Sequence, residues 1–519
     1  MIKLSEEQQK IIDKDGDVIV QANAGTGKTT VLTEKIKREL NQNRSYMTVA
    51  AITFTVKATN EIRSRLDKRQ DCFIGTNNSF IMSEVIIPFF KFAYSCENGV
   101  VFKQDFSEKS MFLTFDEGLN LVEKQGVIGS YNIKQIKKNF AFELALNILK
   151  LSHNARSYLK AKYFKIFVDE YQDVDSEMHQ FFKYLNQELK INLFIVGDIE
   201  QSIYGWKGAY PQYFEEFFHN DEFKKFKLTK NFRSSLAIKN FSRLVLDSDI
   251  GISVYKNKDV CICGVPRQNY AKLLSSIIDT NLSTALLRRE QKKAETCANL
   301  FYSKNTPFKY LKRSILSELS SEHFCLYNEI ALFLLKKDHS FYDVAYLFNN
   351  EFSIDHLAKL KNLFDKLELN YQIKDKELVV KNIHDIFSIN KYRIEEEDLE
   401  KLMKVLFEKV ENQRFLNLLD VENEKFITSS IHFSKGLEFE QVILFAEDFN
   451  LYEIEDRKLH YVAASRAKKK LIVVGYREHI MNNSKKYRTY IKSLLNKHDP
   501  PLKISDIAET KVLSLEGLP

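Results

Sequence analysis

The sequence predicts an α/β protein made of two parallel-sheet domains, each interrupted by an α-helical insertion. Three observations lead there. Short apolar runs recur in two separate sets, each run closed within a few residues by a polar or glycine-bearing turn. Long stretches rich in Lys, Glu, Leu and Phe and poor in glycine divide each set. A chain of 519 residues is too long for one ordinary domain and calls for roughly two to four compact units.

The first set of strands runs Asp17 to Gln21, Thr48 to Phe54, Phe164 to Val168 and Leu193 to Val196. The second runs Thr284 to Leu287, Phe426 to Thr428, Gln441 to Phe445 and Lys470 to Val474. Helix-patterned stretches over residues 80–155 and 312–423 read as the insertions. With only 7 prolines and 16 glycines, long flexible linkers are not expected.

Composition narrows the class without choosing a function. Hydrophobic residues at 44% and charged residues at 28% are the balance of a globular protein, not a disordered one. No apolar run is long enough to cross a bilayer, and MIKLSEEQQK lacks the basic-then-apolar layout of a signal peptide, so a cytoplasmic location is expected. Cys261 and Cys263 have no second Cys/His pair nearby at zinc spacing, and no structural metal is expected. A net charge of +7 permits a polyanionic partner; only its concentration in a groove would bind one.

The chemistry begins after the first strand. Ala22-Asn23-Ala24-Gly25-Thr26-Gly27-Lys28-Thr29 precedes an amphipathic segment that opens with Thr30. Such a loop turns backbone N–H groups toward phosphates, Gly25 and Gly27 permit close approach, and the helix N-terminus favours negative charge. Lys28 is placed to reach the β- and γ-phosphates and Thr29 to hold Mg²⁺. The strict pattern begins with glycine where this chain has Ala22, so a glycine-rich turn before a helix is the competing reading. The second half of a nucleotide site is an acidic pair ending a buried strand. Asp169 and Glu170 follow Ile166-Phe167-Val168, Asp169 as the metal carboxylate and Glu170 to polarise water. Alone, such a pair is a common surface feature.

Longer wording decides the matter. Val168-Asp169-Glu170-Tyr171-Gln172-Asp173 and Val196-Gly197-Asp198-Ile199-Glu200-Gln201-Ser202-Ile203-Tyr204-Gly205-Trp206-Lys207-Gly208-Ala209 resemble the UvrD/Rep-like superfamily 1 helicases. Further blocks of that family stand in order: Gln8 in Leu4-Ser5-Glu6-Glu7-Gln8, then Thr53-Phe54-Thr55, Asn231-Phe232-Arg233-Ser234, Ile431 to Phe439, and Tyr461 to Ala467. The family's version of the phosphate loop has alanine at the position of Ala22.

The resemblance implies two RecA-like cores of the P-loop NTPase class. Core 1A would occupy 1–78 and 156–226, insertion 1B 79–155, core 2A 227–311 and 424–519, and insertion 2B 312–423, both insertions being reduced. It implies ATP and Mg²⁺ as cofactors. Gln8 would read adenine; Ala24, Gly25, Thr26, Gly27, Lys28, Thr29 and Thr30 would hold the phosphates; Glu438 would link the ribose to the DNA path. Thr29 and Asp169 would hold the metal. Lys28, Asp169, Glu170, Gln201, Arg233 and Arg466 would form the hydrolytic set, the two arginines coming from the second core. Phe54, Tyr204 and Trp206 would stack on bases of single-stranded DNA, His432 would touch a DNA phosphate, and movement would run 3′ to 5′.

The compact layout, with Phe73-Ile74-Gly75-Thr76-Asn77-Asn78-Ser79-Phe80 in place of a threonine-phenylalanine-histidine-serine block, is similar to the GajB branch, the helicase-like component of the bacterial Gabija anti-phage system. That likeness implies a GajA-like nuclease as partner in a hetero-oligomeric complex. Three uses of the engine stay open on the sequence: a translocating helicase working with that nuclease, an ATPase that senses DNA ends and consumes nucleotide with little unwinding, and a stand-alone repair helicase.

Overall fold

A computed structural model describes residues 4–66, 72–94, 102–104, 110–132, 138–205, 208, 210–246, 259–302, 308–311, 316, 324–336, 341, 344, 354–390, 392, 394, 396–419, 424–477 and 483–514. The chain forms two compact units, one of residues 1–95, 133–310 and 425–519, the other of residues 96–132 and 311–424.

The first unit holds both sheets. The six strands of one are β1 (Val18–Ala22), β2 (Thr48–Thr53), β3 (Phe73–Thr76), β4 (Tyr163–Val168), β5 (Asn192–Gly197) and β6 (Lys224–Leu228), in the order β6-β1-β5-β4-β2-β3. Every pairing is parallel, with Val18 opposite both Lys224 and Phe194. Parallel strands are covered on both faces, which explains why the inner ones read as unbroken apolar runs: Val18, Ile19, Val20, Leu193, Phe194, Ile195 and Val196 are all fully buried. Edge strand β6 differs, exposing Lys224, Lys225 and Lys227.

The second sheet comprises β7 (Val260–Val265), β8 (Thr284–Arg288), β9 (Lys309–Tyr310), β10 (Phe426–Ser430), β11 (Phe439–Phe445), β12 (Ala467–Tyr476) and β13 (Glu509–Val512), ordered β9-β10-β8-β11-β12-β7-β13 and again wholly parallel. All eight expected strands are present, most of them extended by a residue or more. Five others escape the sequence pattern: β3 and β9 are short, β6 and β13 alternate charged residues at an edge, and β7 contains Gly264.

Four helices position the site: α1 (Glu6–Ile12), α2 (Lys28–Gln42), α3 (Leu236–Leu244) and α4 (Ile454–Ala464). A capping box starts α1, where Ser5 and Gln8 satisfy each other's backbone N–H groups. Helix α2 begins at Gly27, whose left-handed backbone turns the loop into the helix.

The second unit is a helical cluster with Tyr327, Phe364, Ile383, Phe387 and Leu402 at its centre. Asp375 caps the helix Lys376–Ile389 by accepting from Leu378 N–H at 3.0 Å. The same unit includes helix Phe115–Gln125, stopped by Gly126 at φ +69°. Two pairs of two-residue strands flank it, Lys103–Gln104 with Val127–Ile128 and Met111–Phe112 with Ser130–Tyr131. The stretch expected to be helical over 79–155 thus contains strand pairs. Gly129 makes them possible, since a Cβ there would lie 2.1 Å from the Ser110 carbonyl oxygen.

Candidate active site

In the first sheet the loops after β1, β5 and β4 leave adjacent carboxyl ends, the position where open α/β sheets bind ligands. The loop after β1 turns at Gly25 and Gly27, with φ of +72° and +83°. Space is tight at both. A Cβ on Gly25 would lie 2.7 Å from the Arg233 Cβ, and one on Gly27 would lie 2.7 Å from Gln8 Nε2. Gln8 braces the loop from below, its Nε2 donating to the Thr26 carbonyl at 3.1 Å and its Oε1 accepting from Ser5 N–H at 2.9 Å. Thr26 Oγ1 closes the loop on the Asn23 carbonyl at 2.8 Å. Lys28, Thr29 and Thr30 form the first turn of α2, and Thr30 Oγ1 accepts from Arg65 at 3.1 Å.

The acidic pair ends β4. Asp169 N–H donates to the Ile52 carbonyl at 3.0 Å, extending the ladder to β2, and Asp169 Oδ1 accepts from Glu170 N–H at 2.9 Å. Glu170 adopts the left-handed backbone at φ +52°, unusual for a residue with a Cβ. That turn directs its carboxylate back toward Lys28, whose Nζ lies 3.6 Å from Glu170 Oε1. The other Glu170 oxygen accepts from Gln172 Nε2. Gln172 Oε1 in turn accepts from Asp198 N–H at 2.8 Å, joining the turns after β4 and β5.

The connection leaving β6 and segments of the second sheet meet this surface. Asn231, just past β6, donates through Nδ2 to the Ala24 carbonyl at 2.9 Å, and Phe232 N–H donates to the Gly25 carbonyl at 2.8 Å. Arg233 then pairs with Glu438 and donates to the Ser465 carbonyl at 3.4 Å. Arg466, beyond α4, is buried. Its Nε donates to the Val462 carbonyl at 2.9 Å and its Nη2 to Gln201 Oε1 at 2.8 Å. Lys435 reaches Asp173 and, at 3.1 Å, the Gln201 carbonyl.

Burial sets the electrostatics. It pushes the Asp169 carboxyl up, with Glu170's charge adding to the effect. On Glu170 burial acts in the same sense, but the charges of Lys28, Lys435 and Arg466 outweigh it and hold the carboxyl low. Burial pushes Asp173 up to about 6 against the pull of Lys435. Burial, and then the charge of Arg233, push Arg466 down to about 10.

Lys28, Asp169, Glu170, Gln201, Arg233 and Arg466 therefore share one surface around the phosphate loop. Glu438 meets it through Arg233 and also pairs with Lys468 at 3.0 Å. Of the expected DNA residues, Tyr204 lies with its ring centroid 6.1 Å from that of His432 and under the Lys435 ammonium at 4.9 Å. Phe54 stands at the carboxyl end of β2, partly exposed. Trp206 lies outside the described residues. Several contributors were matched in sequence without a role. Tyr461 opens the last matched block, and its hydroxyl accepts from Ala24 N–H at 3.0 Å across 437 residues of chain. Asn231, Lys435 and Asp173 lie inside matched blocks, but their partners become visible only in three dimensions.

The residues fit a nucleotide polyphosphate. Among the described residues Lys28 Nζ is a buried ammonium without a hydrogen-bond acceptor, next to the N-terminal N–H groups of α2. Thr29 hydroxyl and Asp169 carboxylate are hard oxygen donors of the kind Mg²⁺ takes.

Comparison with known proteins identifies the family. A family model described as an AAA domain matches residues 7–207, and one described as a UvrD-like helicase C-terminal domain matches residues 425–474. The Gabija protein GajB of Bacillus cereus is 34% identical over 515 residues, 97% of this chain and 99% of that protein. ATP-dependent DNA helicase PcrA of Staphylococcus epidermidis is 27% identical over 292 residues, 47% of this chain and 39% of that one. PcrA of Staphylococcus aureus is likewise 27% identical, over 293 residues, 47% of this chain and 40% of that one. No helix among the described residues is long and apolar enough to cross a membrane.

Proposed function

The chain belongs to the GajB family of UvrD-like ATP-dependent DNA helicases, acting in Gabija defence, and on that premise we propose how its residues divide the work. The first sheet is the 1A core and the second the 2A core, and ATP hydrolysis at their seam moves the protein along one DNA strand in the 3′-to-5′ direction. The loop from Ala24 to Thr30 wraps the phosphates, with Lys28 at the β- and γ-phosphates and Gln8 at the base. Thr29 and Asp169 hold Mg²⁺, which when bound offsets phosphate charge. Glu170, kept ionised by the cations around it, accepts the proton of the attacking water. Gln201, Arg233 and Arg466 gather at the γ-phosphate, where negative charge spreads in the transition state.

One observation supports this reading above the others: Arg466 from the second core and Gln201 from the first meet at 2.8 Å beside the phosphate loop. A site completed by both cores is productive only when they close, so turnover and core movement are linked. Phe54, Tyr204, Trp206 and His432 provide a sequence-indifferent path for single-stranded DNA. Family membership supports a GajA-like nuclease as partner in a hetero-oligomer. The deciding experiment compares phosphate release with and without single-stranded DNA. Strong stimulation is expected, and its absence would overturn the motor. Running the same preparation on a tailed duplex separates strand separation from nucleotide consumption alone.

A further inference from the structure

The aromatic ring that begins the last matched block is fully enclosed, and its hydroxyl is used twice. Tyr461 is 1% exposed. Its oxygen accepts from the phosphate-loop N–H of Ala24 at 3.0 Å, so its single proton is free for another acceptor. That acceptor is Asp198 Oδ2 at 3.4 Å. The same carboxylate oxygen accepts from Gln201 Nε2 at 2.5 Å, and Gln201 Oε1 accepts from Arg466 Nη2 at 2.8 Å.

Donor and acceptor counting fixes every member of this chain. A guanidinium only donates, so the Gln201 carboxamide has one allowed orientation, oxygen to Arg466 and NH₂ to the Asp198 oxygen. Arg466 follows the end of α4, the helix that carries Tyr461, and its Nε is tied back to the Val462 carbonyl at 2.9 Å. The path is therefore a closed ring from Tyr461 through Asp198, Gln201 and Arg466 back to α4. It touches the phosphate loop at one point, Ala24. Asp198 is 1% exposed, so water does not compete for its oxygens.

We propose that Tyr461 is a positioning residue that transmits the placement of the phosphate loop, through Asp198, to the orientation of Gln201 against Arg466. The inference rests on the role given above to Gln201. A displacement of Ala24 pulls on the Tyr461 hydroxyl, and with it on the carboxylate that holds the Gln201 amide. Nucleotide seated on the loop is thereby registered at the group that meets the γ-phosphate, without Tyr461 touching nucleotide.

The test is a double-mutant cycle in the full-length chain, read as ATP kcat and KM at saturating single-stranded DNA. Tyr461→Phe keeps the ring and removes the hydroxyl. Expected is a fall in kcat of about ten- to a hundredfold, the size of one hydrogen bond to a charged group, with KM and melting temperature nearly unchanged. Gln201→Ala tests the underlying role separately: if it turns over at the wild-type rate, that role fails, and the proposal with it. With Gln201→Ala impaired, adding Tyr461→Phe is expected to cost nothing more. Independent multiplication of the two losses, a wild-type rate in Tyr461→Phe, or a loss confined to melting temperature would each overturn the transmission. Should Tyr461→Phe not fold, Asp198→Asn takes its place, with the same fall in kcat expected and a wild-type rate decisive against the proposal.

Discussion

The Lys28 ammonium lies 3.6 Å from Glu170 Oε1, buried and with no hydrogen-bond acceptor among the described residues. A cation held this way is poised for a stronger anion, because moving it to a phosphate exchanges a long ion pair for short charge-assisted hydrogen bonds. Lys28→Ala is expected to lower ATP turnover by roughly 10²–10³-fold, as for loss of one preorganised charge at a reacting group. Strand binding, which rests on other groups, should change by less than about threefold. Phosphate release and fluorescence anisotropy on a labelled oligonucleotide measure the two effects side by side.

Arg466 offers Gln201 one guanidinium nitrogen while another is anchored to Val462. Replacement by alanine should cost about 10³-fold in kcat. Replacement by lysine should not rescue it, since an ammonium on a flexible stem lacks the planar fork that serves both acceptors. Single-turnover kinetics with preformed nucleotide complex would show a lysine variant no faster than the alanine one.

Three glycines separate steric need from conformational need. Gly205→Ala should be silent in thermal melting, because nothing lies within 4 Å of its Cβ position. Gly436→Ala meets open space but has φ +86°, and should cost roughly 1–2 kcal/mol for the left-handed backbone. Gly25→Ala combines φ +72° with a 2.7 Å approach to Arg233, and should lose both stability and ATP turnover.

Burial pushes the imidazole of His460 down to about 3. Its Nε2 lies 2.7 Å from the Tyr487 hydroxyl, and its Nδ1 has no partner among the described residues. Below the usual histidine value of about 6.5 the unfolded chain takes up a proton that the folded chain refuses. Stability should therefore fall as pH drops from about 6.5 toward 5, by up to about 1.4 kcal/mol per pH unit from this group. Urea unfolding of His460→Gln should show a shallower fall over that range; a slope equal to wild type would place the effect elsewhere.

Trp206→Ala should weaken single-stranded DNA binding by about tenfold, within the roughly 1–3 kcal/mol of one base stack. ATP turnover without DNA should stay near wild type. Equal loss with and without DNA would remove this residue from the DNA path.

How much could be read from the sequence follows from how local each signal is. The phosphate loop, Asp169 and Glu170 announce themselves because strand, turn and chemistry are contiguous. The inner strands were legible because parallel sheets bury both faces. Strand β6 was not, because Lys224, Lys225 and Lys227 disguise it as a surface loop while it pairs with β1 through its backbone. The strand pairs around Gly129 depend on a single close approach to Ser110, invisible to periodicity. Tyr461 and Asn231 belong to recognised blocks, but their contacts to Ala24 span 437 and 207 residues. No local pattern reports a hydrogen bond of that reach.

Of the strands in its sheet β1 leaves the ribosome first, yet its neighbours are β5 and β6, which end at Gly197 and Leu228. The loop around Lys28 has no flanking strands until both of those have been made, and Tyr461 reaches it later still. Long-range parallel pairing is slow for this reason, since loop closure precedes the contacts that reward it. A nascent or truncated chain ending before Leu228 therefore holds its phosphate loop with one wall missing, the one that β6 supplies.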